Sequence, residues 1–179
     1  MIDYVGDVSR RDAFVLREFA ESCQRILEFG AGASTQILAY YGLGTVTSVE
    51  TEPEWIEKTK RNLTRVRARR PVTFHAYSGF KPSSYDLIFI DGVWTLREDF
   101  AMSTWPALKI GGAMLFHDTR RPKDVRNVCA LMERYSTEID RVVLNRSDSN
   151  ITVVVKREAL LLEDYNAIEG RTPEQLGLT

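Results

Sequence analysis

The stretch RILEFGAGASTQILAYYG, residues 25–42, decides the fold. RILEF (25–29) is short and mostly apolar, as a buried strand should be, and it runs directly into GAGAST (30–35). Glycines permit a tight turn there, and Ser34 or Thr35 can cap a helix that continues through QILAYY to the stop at Gly42. The order is strand, glycine loop, helix. Outward from it the same alternation repeats. TVTSVE (45–50) reads as a strand, and Thr51 with Glu54 forms a capping-box pattern around Pro53 before a helix carrying Trp55, Ile56, Thr59, Leu63 and Val66. VTFHAY (72–77) and YDLIFID (85–91) read as further strands, the second apolar enough to be covered on both faces. Thr95 and Glu98 suggest a capping box for a helix to about Leu108, ahead of a fifth strand AMLFHD (113–118) and a helix from Pro122 with Val125, Val128, Cys129 and Met132 on one face. IDRVVL (139–144) and NITVVV (150–155), joined by NRSDS, read as an antiparallel hairpin. Ser9 and Asp12 open a helix before all of these, over residues 9–23.

Five alternations of strand and helix imply a doubly wound α/β sheet, because each parallel connection needs a crossover. At 179 residues, 44% hydrophobic and 27% charged, the chain suits one folded domain, 1–179. The longest apolar runs, Ile37–Tyr41 and Val128–Met132, have five residues, far short of the roughly 20 that a membrane helix needs. MIDYVGDVSRRDAF lacks the pattern of a signal peptide, so a cytoplasmic setting is expected. Cys23 and Cys129 stand far apart, which argues against a disulfide or thiolate zinc site and leaves both expected as reduced and buried. A net charge of -1 offers no general attraction to nucleic acid. The five arginines of RNLTRVRARR (61–70) lie at the far end of their helix and read as a solvated face.

In an open α/β sheet a ligand lies beyond the carboxyl ends of the strands. Residues expected there are Gly30 to Thr35, Glu50 and Thr51, Tyr77 and Ser78, Asp91 to Trp94, and His117 to Arg121. Glu50 follows Gly32 by 18 residues, where a carboxylate can accept from both hydroxyls of a ribose. A dinucleotide fingerprint wants a third glycine where this chain has Thr35, so NAD is disfavoured against a nucleoside without a pyrophosphate.

At this point EFGAGAST, SVETEP, YDLIFIDG and GGAMLFHD together resemble the four signature stretches of class I S-adenosylmethionine-dependent methyltransferases, over roughly residues 25–155. The resemblance implies a mostly parallel seven-stranded sheet of order 3-2-1-4-5-7-6 whose last strand is antiparallel. It divides the chain into an N-terminal helical segment (1–24), a cofactor-binding core (25–155) and a tail (156–179) holding a short helix. It implies that Glu28, Gly30 and Gly32 surround the methionine part of S-adenosylmethionine, that Glu50 holds the ribose, that the loop with Tyr77 and Ser78 borders the adenine, and that Ala31, Ser34, Thr51 and Asp91 also bind the cofactor.

Within that family the chain looks most like the small-molecule O-methyltransferases, in which carboxylates at the positions of Asp91 and Asp118 can hold magnesium or another divalent ion. Such an ion would lower the pKa of an acceptor hydroxyl. Relatives often carry a lysine or histidine where this chain has Trp94, which leaves His117, with an ordinary pKa of about 6.5, as the candidate base beside Asp91. Arg120, Arg121 and Lys123 suggest an anionic small-molecule acceptor, and a homodimer could complete the pocket. Two further readings are methylation of a nucleic acid or nucleotide and a non-catalytic methyltransferase-like binding subunit.

Overall fold

A computed structural model describes residues 1–158. Seven strands form one sheet: β1 (Arg25–Phe29), β2 (Thr45–Glu50), β3 (Val72–Ala76), β4 (Tyr85–Ile90), β5 (Leu108–Phe116), β6 (Ile139–Val143) and β7 (Thr152–Lys156). Their order is β3-β2-β1-β4-β5-β7-β6. All neighbours are parallel except those of β7, which runs antiparallel to both β5 and β6. That is the expected seven-stranded order.

Period-two alternation sends side chains to two separate cores. Ile26, Leu87, Phe89, Leu115 and Val153 pack beneath α1 (Arg10–Ala20), α2 (Ala33–Tyr41) and α3 (Pro53–Arg65). Leu27, Ile88, Ile90, Met114 and Val154 face the opposite layer, α4 (Arg97–Thr104) and α5 (Pro122–Tyr135). Trp105 is fully buried in this second core, its indole N–H donating to Glu138 at 3.0 Å.

Several local expectations are corrected. The Ser9–Asp12 capping box forms, but α3 is capped by Glu52 with no side-chain hydrogen bond, so the Thr51–Glu54 box does not. Thr95 and Glu98 do not cap a helix either; a single 3₁₀ turn (Trp94–Leu96) precedes α4, because Arg97 is drawn inward beneath it. Strand β5 starts at Leu108, five residues before the expected 113, and Gly111 at φ +78° belongs to this irregular opening stretch. It ends at Phe116, leaving His117 and Asp118 in the loop beyond. The buried face of α5 is Asp124, Asn127, Val128 and Leu131, so Cys129 and Met132 are exposed rather than in the core. The short helix expected after Lys156 falls almost wholly outside the described residues.

Candidate active site

Strands β1 and β4 end side by side at the switch point of the sheet, and their backbones nearly touch there. Gly30 has φ +91°, and a Cβ on it would stand 2.5 Å from the nitrogen of Gly92, itself at φ +71°. Only glycine meets both demands. The loop then opens upward, since a Cβ on Gly32 would meet nothing within 4 Å. The underside is held by a relay of hydrogen bonds. Gly32 N–H donates to Thr35 Oγ1 at 2.9 Å, and that hydroxyl donates to Glu28 Oε2 at 2.6 Å. Ser48 donates to the same oxygen at 3.0 Å, while Glu28 Oε1 is buried without a partner. Burial pushes the Glu28 carboxyl up to about 7, against the pull of those hydroxyls.

Glu50 closes the other wall. Its carboxylate accepts from Ala31 N–H at 2.9 Å and from the N–H groups of Thr51 and Glu52 at 2.6 and 3.0 Å. Oε1 also takes the Thr51 hydroxyl at 3.2 Å, whereas Oε2 takes only the Ala31 N–H and so keeps one acceptor position of its two. The cleft, of about 360 Å³, is roofed by the N-terminal segment Val5–Val8. Gln36 of α2 clamps that segment, accepting from Val5 N–H at 3.0 Å and donating to Val5 C=O at 2.8 Å. The glycine cradle and the carboxylate at its wall suit a nucleoside ligand.

Beyond β4 and β5 the site is ionic. Asp118, at φ +61°, turns its carboxylate back toward Asp91, a left-handed conformation that aspartate tolerates better than most side chains. Between them lies Arg97, only 5% exposed. Its guanidinium donates to Asp91 at 2.5 Å, Asp124 at 3.0 Å and Asp118 at 3.4 Å, and also to the backbone oxygens of Gly92 and His117. Arg121 bridges Asp118 and Asp124 from outside. His117 is 7% exposed, with Nδ1 at 3.2 Å from Asp91 and 3.6 Å from Asp118, and Nε2 at 3.5 Å from Asp12. Neither nitrogen makes a well-aligned hydrogen bond, so what binds the ring is charge at close range. Burial works against a charged ring, but Asp12, Asp91 and Asp118 outweigh it and push His117 up to about 10. Three carboxylates around the ring favour its protonated form, which weighs against a role as proton acceptor. Asp12 is held at about 2: burial opposes this, but His117, Ser9 and the Asn150 N–H prevail.

A pocket of about 310 Å³, lined by Asp7, Asp12, Asp91, His117, Asp118 and Arg121 among others, adjoins the cleft, and Asp7 and Asp91 belong to both. The expected Gly30, Ala31, Gly32, Ser34 and Glu50 line the cleft, with Glu28 beneath it. Tyr77 and Ser78 do not line it; Tyr77 packs edge-on against Phe100, and α3 supplies Trp55, Lys58 and Asn62 instead. Arg97 escaped the sequence reading. Its only advance sign was an excess of acids at the ends of two adjacent strands, which calls for a buried cation.

Ligand atoms of Asp91, His117 and Asp118 lie within 4.8 Å of one another, a donor set of the kind that binds hard divalent ions. The arrangement nonetheless does not fit one. Both carboxylates are already taken by guanidinium groups, which occupy the oxygens an ion would need.

No helix among the described residues is long and apolar enough to cross a membrane. No curated protein matches the chain by sequence. Among solved structures it is similar to the O-methyltransferase TomG from Streptomyces achromogenes, involved in tomaymycin synthesis and bound to SAM. Identity there is 16% over 85% of this chain and 82% of that one, with a TM-score of 0.67. An O-methyltransferase from Bacillus cereus, in complex with SAH, is 20% identical over 84% and 83%, with a TM-score of 0.63. A methyltransferase-like protein from Silicibacter pomeroyi is 17% identical over 93% and 95%, with a TM-score of 0.62. At such identities the likeness speaks for the fold. The family described as a methyltransferase domain matches residues 27–119, from β1 through the ionic loop after β5. With that match and the strand order, the chain belongs to the methyltransferase domain family and is a class I S-adenosylmethionine-dependent methyltransferase.

Proposed function

We propose that the protein transfers a methyl group from S-adenosylmethionine to a hydroxyl of a small-molecule acceptor, without a divalent ion. The observation that carries this reading is the position of Asp91, which lies in the wall of both the nucleoside cleft and the ionic pocket. A side chain there meets an acceptor where it approaches the methyl donor. The bound cofactor supplies an electrophilic methyl carbon on its sulfonium.

The chain's own residues do the rest. Glu50 accepts from the ribose hydroxyls, and the open backbone of Gly30 to Ser34 lets the methionine arm lie close. Asp91 takes the hydroxyl proton as the oxygen attacks. Arg97 and His117 lock the orientation of Asp91. Trp94, 58% exposed with Lys123 over its ring at 5.1 Å, walls the entrance. The expected anionic acceptor finds less support, since Arg120 pairs with Asp148 and Arg121 with Asp118 and Asp124. The names of TomG and the Bacillus cereus protein support oxygen as the methylated atom.

The test is calorimetric titration with S-adenosylmethionine and S-adenosylhomocysteine, with NAD as control and Glu50→Ala as the variant. A panel of catechols, phenols, alcohols and amines with methyl-labelled cofactor follows. Cofactor binding weakened by Glu50→Ala, with label on oxygen, is the expected result. Label on nitrogen, or binding without transfer to any acceptor, would overturn the reading.

A further inference from the structure

We propose that Arg97 is the resident cation of this site, holding Asp91, Asp118 and Asp124 together where a divalent ion would otherwise sit. The assignment rests on the reading of this site as the place of methyl transfer, but occupancy by a cation can be measured apart from turnover. Three features carry it. First, the guanidinium is buried and fully engaged, reaching three carboxylates and two backbone carbonyls at 2.5–3.4 Å. An arginine placed for solubility would have its head in water. Second, the fold is arranged to hold it. Arg97 is the first residue of α4, Asp91 and Asp118 follow two adjacent strands, and Asp124 lies in the first turn of α5, only 2% exposed. Four elements of the chain therefore close on one side chain.

Third, guanidinium groups already engage the carboxylate oxygens that an ion would need. Four carboxylates, those of Asp12, Asp91, Asp118 and Asp124, face Arg97, Arg121 and His117. A divalent ion entering this set would meet two guanidinium groups within a few ångströms. Arg97 also does what an ion cannot. Its planar fork fixes the orientation of each carboxylate, and it stays in place whatever the metal supply.

The experiment is titration of the full chain with Mn2+, with and without S-adenosylhomocysteine, read by calorimetry and by loss of the free-ion paramagnetic resonance signal. Wild type should hold no Mn2+ at millimolar concentration. Arg97→Met should bind it at least about a hundredfold more tightly than wild type, because a like charge a few ångströms away has been withdrawn. Arg97→Lys, which keeps the charge, should stay closer to wild type. Should Arg97→Met fail to fold, wild type still decides. Stoichiometric Mn2+ binding by wild type, or turnover abolished by a chelator and restored by a divalent ion, would overturn the assignment. Failure to methylate any acceptor would count against the function instead and leave the Mn2+ result standing.

Discussion

Glu28 lets the physics of the cofactor loop be weighed with a thermometer. It is fully buried beneath Gly32, one carboxylate oxygen tied to Thr35 and Ser48 and the other bare. In the open chain such a group releases its proton near 4.5, whereas burial, with Asp91 adding to it, holds the proton to about 7 in the fold. Below 4.5 the carboxyl is neutral in both states and costs nothing. Between the two values the unfolded chain ionises first, so stability falls as pH rises; above about 7 the full cost is present. At 1.36 kcal/mol for each pH step, that cost is about 3 kcal/mol. For a chain of this size it lowers Tm by about 6–12 °C. Glu28→Gln keeps the shape and an acceptor for Thr35 but cannot ionise. Melting wild type and variant side by side from about pH 5 to about pH 8 should therefore show the variant gaining on wild type by that amount, most steeply between 4.5 and 7. A Tm difference that stays constant across the range would refute the account of a buried, neutral-leaning carboxyl.

Gly30→Ala must place a Cβ 2.5 Å from Gly92 nitrogen at a φ of +91°, so we expect a loss of about 2–4 kcal/mol in urea unfolding. Cofactor binding should weaken by more than about tenfold as the loop shifts; an unchanged midpoint and affinity would contradict the contact. His117 draws its raised pKa first from Asp12 and Asp91 against the opposing burial, and the stability it contributes is complete below 6.5 and lost as pH rises toward about 10. NMR of the ring should show wild-type His117 still protonated at about pH 8 and Asp12→Asn titrating lower; wild-type titration near 6.5 would count against the charged ring. Trp105→Ala should cost about 3–5 kcal/mol in the same unfolding assay, since the indole is fully buried and its N–H bonded to Glu138.

The sheet was legible because its signals are local. LIFI (87–90) is apolar throughout because β4 is covered on both sides there, and Gly30 declares a turn by lacking a side chain. The cofactor wall was legible for the same reason, as Glu50 ends its strand within reach of the loop it faces. The ionic centre was not. Nothing in the letters REDF separates Arg97 from a surface arginine, because its burial depends on three aspartates up to 27 residues away. The surroundings of His117 are hidden for a related reason: Asp12, which stands beside its ring, lies on a helix more than a hundred residues earlier. The rotation of α5 that exposes Cys129 and Met132 has the same source, as Asp124 turns inward to meet Arg97.

The insertion of β7 between β5 and β6 bears on how the molecule comes into being. While the chain is being made, β5 has β4 on one side and nothing on the other, because its partner runs from Phe116↔Thr152 back to Ala113↔Val155. At ribosomal speeds of roughly 5–20 residues per second, that edge stays open for about 2–8 seconds after its own residues emerge. The open strand carries Ala113, Met114, Leu115 and Phe116, all apolar and all buried once β7 arrives. A nascent chain in that interval presents a ready template for pairing with a neighbour. The same late strand that completes the sheet thus leaves this stretch open to pairing while the chain is being made.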